Sequence, residues 1–286
     1  MNNQPKASIV IPTYNRPQLI GRAIESVLNQ TYKNIEIVII DGSTADGTEK
    51  AIQPYLIDSR INYIHQKETH AATDRRFIAR ARNRGVRVAK GEYIGVLDDD
   101  DFWCDQEKLE KQIRFFKEHP EYVVTGGGII VIDEKGKEIR RCLCPETDKE
   151  IREAMLFNCP FWHTTVIFKK DAWDKAGGYD EIIDFSEDWD LFMKFGKLKL
   201  GKFYNFPEYF TCFLERGKSR KDLPWRENLK FNLKLREKYR NDYPNFYKAA
   251  LLSRIRYFYF HLPSSFGQLL RPAVSKIKKL VLKTPY

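Results

Sequence analysis

Apolar runs of strand length alternate with helical segments over residues 1–100. The runs "ASIVIPTY", "IEIVIIDG", "INYIHQ" and "EYIGVLD" are almost continuously apolar, as strands buried on both faces are. Between them, "PQLIGRAIESVLNQ" and "RRFIARARNRGVRVAKG" place apolar residues at helical spacing. Buried strands that alternate with helices predict an α/β domain, with a mostly parallel sheet flanked by helices.

Polar side chains follow these strands at their carboxyl ends. Tyr14 and Asn15 follow the first run, Asp41 ends the second, and four consecutive aspartates at 98–101 follow the fourth. Ligands of parallel sheets bind outside the carboxyl ends of the strands, so we expect these residues to share one crevice. An Asp-x-Asp sequence there suits a hard divalent cation. The alternative is a solvated acidic loop that caps the next helix.

The second half of the chain is less regular. "YVVTGGGIIVID" and "HTTVIFKK" read as strands, and "EDWDLFMKFGKLK" reads as an amphipathic helix that begins with acids. From Trp225 onward, helical stretches are broken by prolines at 244, 263 and 272. We therefore place a domain boundary after residue 216. Residues 1–216 form the α/β domain, and residues 217–286 form a basic, aromatic-rich helical appendage.

Charge is distributed unevenly between these two parts. The 286-residue chain has a formal net charge of +10, yet residues 217–286 hold 17 lysines and arginines against 4 acidic residues. Residues 1–216 hold 32 basic and 35 acidic residues. A basic segment with aromatic residues fits the anionic surface of a membrane. Packing on the domain or on a second chain, and so an oligomer, is the alternative, and nucleic acid is not expected.

Cysteine usage and hydropathy bear on the cellular setting. Five scattered cysteines without a C-x-x-C pair argue against a disulfide framework or a zinc site and fit a reducing cytoplasm. The first residues lack the pattern of a signal peptide, and no window of about 18 residues is uninterruptedly apolar, so no spanning helix is expected. We expect a cytoplasmic protein that is peripheral on the inner face of the cell membrane.

Several segments, in this order, resemble one enzyme family. "ASIVIPTYNRPQLIGRAIESVLNQTYKNIEIVIIDGSTADGT" and "ARNRGVRVAKGEYIGVLDDDD", followed by "GGYDE" and "SEDWDL", resemble the family 2 inverting glycosyltransferases, which have the GT-A fold. The likeness runs over about residues 7–214. It implies transfer of a sugar from a nucleotide diphosphate-sugar, with a UDP-sugar favoured, to a hydroxyl of a cell-surface polysaccharide or lipid-linked glycan.

The resemblance also assigns roles to positions. The "PTYN" segment lies against the nucleotide, the acid after the second strand binds the base, and the arginine of "ARN" faces a phosphate. The nucleotide-sugar-binding positions are then Pro12, Thr13, Tyr14, Asn15, Asp41, Arg82, Asp98 and Asp99. Asp100, together with Asp98, would hold Mn²⁺ or Mg²⁺, and Asp188 aligns with the catalytic base.

Four further residues are candidates for acceptor or phosphate contacts. His163 is suited to contact the metal, a phosphate or the acceptor; the alternative is that it makes a structural hydrogen bond. Trp162 fits stacking on a sugar or core packing. Glu187 is a like charge that would raise the pKa of Asp188, and Arg216 fits either a diphosphate contact or a basic linker.

The chemistry of an inverting transfer agrees with separate roles for these acids. One carboxylate must take the proton of the acceptor hydroxyl as it attacks, and positive charge must meet the departing diphosphate. Two rival functions stay open. A sugar-nucleotide nucleotidyltransferase would carry a glycine-rich nucleotide loop, which "IPTYNRPQ" is not. A non-catalytic nucleotide-sugar-binding scaffold would not need acids at both places.

Overall fold

The computed structural model describes residues 5–66, 76–216 and 225–261, in which nine strands form one sheet. In chain order the strands are β1 (Ala7–Thr13), β2 (Ile35–Asp41), β3 (Ile61–His65), β4 (Tyr93–Val96), β5 (Phe102–Trp103), β6 (Tyr122–Ile132), β7 (Glu138–Cys142), β8 (Ile167–Lys169) and β9 (Lys202–Leu214). The α-helices are α1 (Ile20–Leu28), α2 (Gly47–Ile52), α3 (Phe77–Val88), α4 (Lys108–Glu118), α5 (Asp148–Ala154), α6 (Lys170–Ala176), α7 (Glu187–Lys197), α8 (Trp225–Lys238) and α9 (Phe246–His261).

The sheet has a parallel half and a mixed half. Its order is β3-β2-β1-β4-β8-β6-β9-β5, and β7 pairs with β6. The first four strands in this order are mutually parallel. β8 then runs antiparallel to β4 and β6, β9 is parallel to β6, and β5 is antiparallel to β9. The α/β prediction is confirmed, but antiparallel strand pairs are more frequent than expected. A continuous apolar run indicates that a strand is buried but does not indicate its direction.

Helices cover both faces of the parallel half. Val10 and Val38 belong to one hydrophobic core, which includes residues of α3 and α7. Ile9 and Ile37 point to the other core, which includes residues of α1 and α4. Every residue of β1 and β2 is therefore buried, which explains their continuously apolar sequences.

Two glycines allow the chain around α3 to approach β1 closely. A Cβ atom at Gly85 would lie 2.3 Å from Cγ1 of Val10, and one at Gly91 would lie 2.5 Å from Oγ of Ser8. Only a residue without a side chain fits either position without displacing its neighbours. The close packing fixes α3, which carries Arg82, against the strand that ends in the "PTYN" segment.

The described part of the C-terminal region packs on the α/β domain through α7. Tyr239 and Lys238 donate hydrogen bonds to Oδ1 of the buried Asp190 at 2.8 and 2.7 Å. The hydroxyl of Tyr243 donates to the carbonyl oxygen of Met193 at 2.9 Å. The predicted domain boundary falls beside residues 217–224, and the tail beyond residue 261 also lies outside the described residues, so this division stays a prediction. Among the helices that the structure describes, none has both the length and the apolar character needed to cross a membrane.

Candidate active site

The carboxyl ends of β1, β2 and β4 meet at one edge of the sheet. Thr13 and Asp41 end β1 and β2 and lie side by side in the register of the two strands. The Thr13 hydroxyl donates a hydrogen bond to Oδ2 of Asp99 at 2.7 Å. This contact joins the "PTYN" segment to the row of aspartates that follows β4, so the sheet gathers these three predicted residues as expected.

A cleft of about 290 Å³ opens beside this edge. It is lined by Pro12, Arg16, Ile78, Arg82, Asp98, Asp99, Asp100, Phe213, Leu214, Glu215 and Arg216. Six of these residues, including Pro12 of the "PTYN" segment, were predicted for nucleotide, phosphate or metal contacts. Arg16, Ile78 and residues 213–215 were missed. Arg16 directly follows "PTYN", so its position was a usable signal. No local pattern marks residues 213–215 as cleft residues; only the diphosphate alternative for Arg216 pointed to this edge.

Arg82 of α3 connects the cleft to the acids at the start of α7. Its guanidinium group donates to Oδ1 of Asp98 at 2.7 Å and, through the other terminal nitrogen, to the carboxylate of Glu187. The Arg82 side chain is only 5% exposed. Burial alone would raise the pKa of Asp98, but the charge and hydrogen bond of Arg82, together with other neighbours that include Arg16, hold that pKa below its ordinary value.

Glu187 and Asp188 occupy the first turn of α7. Burial raises the pKa of both carboxyl groups, and the positive charge of Arg82 offsets part of this rise. The backbone N–H of Trp189 donates to Oδ1 of Asp188 at 2.8 Å, as expected for an acid at a helix N-terminus. Asp188 is not among the described residues that line the cleft; it adjoins the cleft through Glu187 and Arg82.

The other aspartates of the row differ in their surroundings. Burial raises the pKa of Asp99 to about 6, although Arg16 lowers it in part. Burial and the neighbouring Asp98 raise the pKa of Asp100. Asp101 is buried, accepts the backbone N–H of Leu214 at 3.0 Å, and has a pKa well above its ordinary value because of burial and its acidic neighbours. Asp101 is thus a structural residue that ties the row to β9.

Two arginines contact the carboxylates that face the cleft. Arg16 donates to Oδ1 of Asp99 at 2.7 Å and to Oδ2 of Asp100 at 3.1 Å. Arg216, which follows β9, donates to the same Oδ2 of Asp100 at 2.9 Å. The structure thus places the Arg216 side chain at the acids of the cleft, and its contact with a diphosphate stays a prediction.

The loops around the predicted base-binding position are braced by internal hydrogen bonds. Asp41 accepts the backbone N–H of Ser43 and the hydroxyl of Tyr63, each at 2.8 Å. Asn15 has a positive φ of 52° and donates its backbone N–H to the Ser43 hydroxyl at 2.7 Å. Tyr14 packs against Phe77 with ring centroids 5.7 Å apart. Asp41, Asn15 and Tyr14 are not in the lining of the cleft, and their nucleotide contacts stay predictions.

His163 and Trp162 lie behind the cleft. The Nε2 atom of His163 is 3.0 Å from the hydroxyl of Tyr179, and burial, with Arg82 nearby, holds the pKa of this imidazole well below its ordinary value. His163 is therefore neutral. Trp162 packs against Phe213, which lines the cleft, with ring centroids 6.1 Å apart. Both residues adjoin the site, and their acceptor or phosphate roles stay predictions.

The acids of the cleft suit a hard cation that shares its ligands with a phosphate. Within residues 5–66, 76–216 and 225–261, no group of three or more His, Cys, Asp or Glu side chains forms a metal-binding cluster. Mg²⁺ and Mn²⁺ need only one or two carboxylates when water and phosphate oxygens complete the shell. Asp98 and Asp100 line the cleft, and their side chains are 30% and 23% exposed. This pair of hard oxygen donors fits such an ion.

Solved structures define the class of protein to which this fold belongs. The mannosyltransferase PcManGT from Pyrobaculum calidifontis, solved with GDP-Man and Mn²⁺, superposes with a TM-score of 0.62 at 18% identity, covering 100% of this chain and 77% of PcManGT. TarS 1–349 of S. aureus, solved with UDP, gives a TM-score of 0.61 at 18% identity, covering 91% of this chain and 76% of TarS 1–349. The fold is that of the GT-A glycosyltransferases.

Sequence comparison identifies the family. Residues 8–210 match the family model for glycosyl transferase family 2. EpsE of Bacillus subtilis, named as a glycosyltransferase, is 33% identical over 199 residues, which are 68% of this chain and 68% of EpsE. The amylovoran biosynthesis glycosyltransferase AmsE of Erwinia amylovora is 29% identical over 189 residues, 65% of this chain and 68% of AmsE. The chain belongs to glycosyl transferase family 2.

Proposed function

We propose that this glycosyltransferase transfers the sugar of a nucleotide diphosphate-sugar, with UDP-sugars favoured, to a hydroxyl of a cell-surface polysaccharide or lipid-linked glycan. The transfer inverts the configuration at the anomeric carbon. The observation that carries the proposal is the ion-pair path from Asp98 in the cleft through Arg82 to Glu187. This path links the proposed donor site at Asp98 to the acid pair at 187–188, which includes the proposed base. The nucleotides in the solved neighbours and the amylovoran role in the name of AmsE support the donor and acceptor classes.

Asp188 is the proposed base. Its carboxylate takes the proton of the acceptor hydroxyl while the hydroxyl oxygen attacks the anomeric carbon from the face opposite the diphosphate. The raised pKa of Asp188 makes it a better proton acceptor near neutral pH than an exposed aspartate. Glu187 stays paired with Arg82 and fixes the first turn of α7.

The donor lies along the cleft in this proposal. Pro12, Thr13, Tyr14, Asn15, Asp41 and Asp99 contact the nucleoside, and Arg82 and Arg216 contact phosphate, because guanidinium groups match phosphate oxygens in shape and charge. Asp98 and Asp100 would hold Mn²⁺ or Mg²⁺. When bound, the cation neutralises negative charge on the departing diphosphate.

The acceptor side and the membrane contact are also proposals. Trp162 and His163 sit beside the cleft wall and contribute to the acceptor site. The basic segment 217–286 docks on the anionic inner face of the cell membrane, and the enzyme works from the cytoplasm. On α9, Tyr247 and Leu251 are 86% and 57% exposed beside the exposed Lys248 and Arg254, a mixture that suits a lipid headgroup surface.

The proposal is tested by Asp188→Asn, with Asp184→Asn as the control. Asp184 lies four residues earlier, and its side chain is 62% exposed. Sugar transfer by Asp188→Asn should fall by about 10³-fold, the scale of general base catalysis. UDP binding, measured by titration calorimetry with Mn²⁺, should stay within about twofold of the wild type because the base acts on the acceptor side. Near-normal turnover of Asp188→Asn would refute the base assignment, and a donor panel of UDP-, GDP- and dTDP-sugars with and without Mn²⁺ identifies the nucleotide.

A further inference from the structure

Two guanidinium groups converge on one carboxylate oxygen in the cleft. Oδ2 of Asp100 accepts hydrogen bonds from Arg16 at 3.1 Å and from Arg216 at 2.9 Å. Arg16 also bridges to Oδ1 of Asp99 at 2.7 Å. The two arginines arrive from opposite ends of the domain sequence, one after β1 and the other after β9. Such convergence on a single oxygen is a specific feature of the site, not the scattered pairing of a solvated surface.

These contacts give three of the four aspartates in the row an arginine partner. Arg82 pairs with Asp98, Arg16 pairs with Asp99, and Arg216 pairs with Asp100. A divalent cation at Asp100 would need the same carboxylate oxygens, and it would repel the guanidinium groups beside it. Arginine pairing and cation binding at Asp100 therefore compete.

The arginines would remain in the cleft after they leave Asp100. Both line it, and their side chains are 41% and 27% exposed, so neither is locked in the core. Guanidinium groups bind phosphate oxygens through two parallel hydrogen bonds. A diphosphate held at the cation would be the nearest new acceptor for both.

From this geometry we infer that Arg16 and Arg216 form an exchangeable clamp: they hold Asp100 in the ligand-free protein and pass to the diphosphate of the donor when a divalent cation takes their place. The inference rests on the proposed function and adds Arg16 as a phosphate-binding residue. Cation and nucleotide then bind cooperatively, because each ligand favours release of the arginines from Asp100, and that release favours binding of the other ligand.

The clamp predicts opposite effects of one substitution on two ligands. In Arg16→Gln, Mn²⁺ alone should bind more tightly, by about threefold or more, because a competing partner of Asp100 is gone. UDP in the presence of Mn²⁺ should bind about tenfold more weakly, the loss of one charge-assisted pair. Arg216→Gln should behave in the same way, and Arg16→Lys, which keeps the charge but not the two-pronged geometry, should fall between.

Arg22→Gln is the matched control. Arg22 donates to the backbone carbonyl oxygen of Asp100 at 3.2 Å and lies 4.3 Å from the centre of the Phe102 ring, so it adjoins the same loop without touching a carboxylate of the row. Arg22→Gln should leave the ratio of the Mn²⁺ affinity to the UDP affinity unchanged.

The experiment measures free Mn²⁺ by electron paramagnetic resonance and UDP binding by calorimetry, with far-UV circular dichroism to confirm folding. The clamp is supported if Mn²⁺ affinity rises and UDP affinity falls in Arg16→Gln and Arg216→Gln. It is overturned, with the proposed function intact, if wild type binds UDP with Mn²⁺ and both variants bind Mn²⁺ no more tightly than wild type does. If the wild type binds neither UDP nor any nucleotide diphosphate-sugar, the proposed function and the clamp fall together.

Discussion

Arg82 is a buried guanidinium group that pairs with two carboxylates, so its loss should be costly. Arg82→Gln keeps a polar side chain of moderate length but removes the charge that pairs with Asp98 and Glu187. Removing one partner of a buried ion pair costs about 3–5 kcal/mol. At a few degrees per kcal/mol for a chain of this size, the melting temperature should fall by roughly 10 °C.

The cost of Arg82→Gln should also depend on pH. Burial raises the pKa of Glu187 and Asp188, and Arg82 counters part of that rise, so both pKa values climb further without it. A carboxyl group whose folded pKa lies above its unfolded value contributes stability at low pH, and that stability is lost as the pH rises through the folded pKa. The gap between wild type and variant should widen from pH 5 to pH 8, by up to about 1.4 kcal/mol per pH unit for each proton involved.

Urea unfolding followed by tryptophan fluorescence at pH 5, 6.5 and 8 measures this gap directly. Arg87→Gln is the control, because Arg87 lies on the same helix, its side chain is 60% exposed, and it pairs with Glu181 at 3.4 Å. An exposed pair of this kind contributes about 0–1 kcal/mol. If the stability difference between wild type and Arg82→Gln is no larger than that between wild type and Arg87→Gln, or stays constant with pH, Arg82 is not the charge partner of these acids.

Two further substitutions test the interior. Burial holds the pKa of Lys108 well below its ordinary value, so between the folded and unfolded pKa values the wild type releases a proton on folding and loses stability as the pH falls. Lys108→Met removes this pH-dependent cost together with the hydrogen bond from Nζ to Oε1 of Gln112, so its effect on the melting temperature in thermal-shift assays should be more favourable at pH 6 than at pH 9, and an equal change at both pH values would contradict this. Tyr239→Phe removes a donor to the buried Asp190 and should lower the free energy of unfolding by about 2 kcal/mol in urea titrations. Tyr247→Phe, at a side chain that is 86% exposed, should change nothing measurable, and equal effects of the two would count against the role of Tyr239.

The sequence predicts the parallel half of the fold and much of the cleft for one physical reason. Strands buried on both faces leave a continuous apolar signal, and parallel strands end at the same edge, so residues after β1 and β4 must be neighbours. The hydrogen bond between Thr13 and Asp99 is the direct result, although 86 positions separate them. The class and the family were predicted from the same segments and are confirmed.

The remaining features depend on long-range packing that a local pattern does not encode. The direction of β8 and the return of β9 to the cleft are set by pairings across the mixed half of the sheet. Arg16 and Arg216 are separated by 200 positions, and no spacing rule relates them. Arg16 reaches Asp100 from the end of β1, and Arg216 reaches it from the end of β9. The neutral state of His163 likewise follows from its burial, since a lone histidine in a sequence gives no measure of its surroundings.

The turn that presents the acid pair is fixed from the C-terminal side as well as from the cleft. Ser186, the residue before α7, has a φ of 60°, an unfavourable conformation for a residue other than glycine. Its hydroxyl donates to Oδ1 of Asn232 on α8 at 3.1 Å, while Asp190 one turn later binds Tyr239. Arg82 fixes the same turn from the other side through Glu187. α8, which lies beyond residues 8–210 of the family match, therefore helps to position the acids at 187–188.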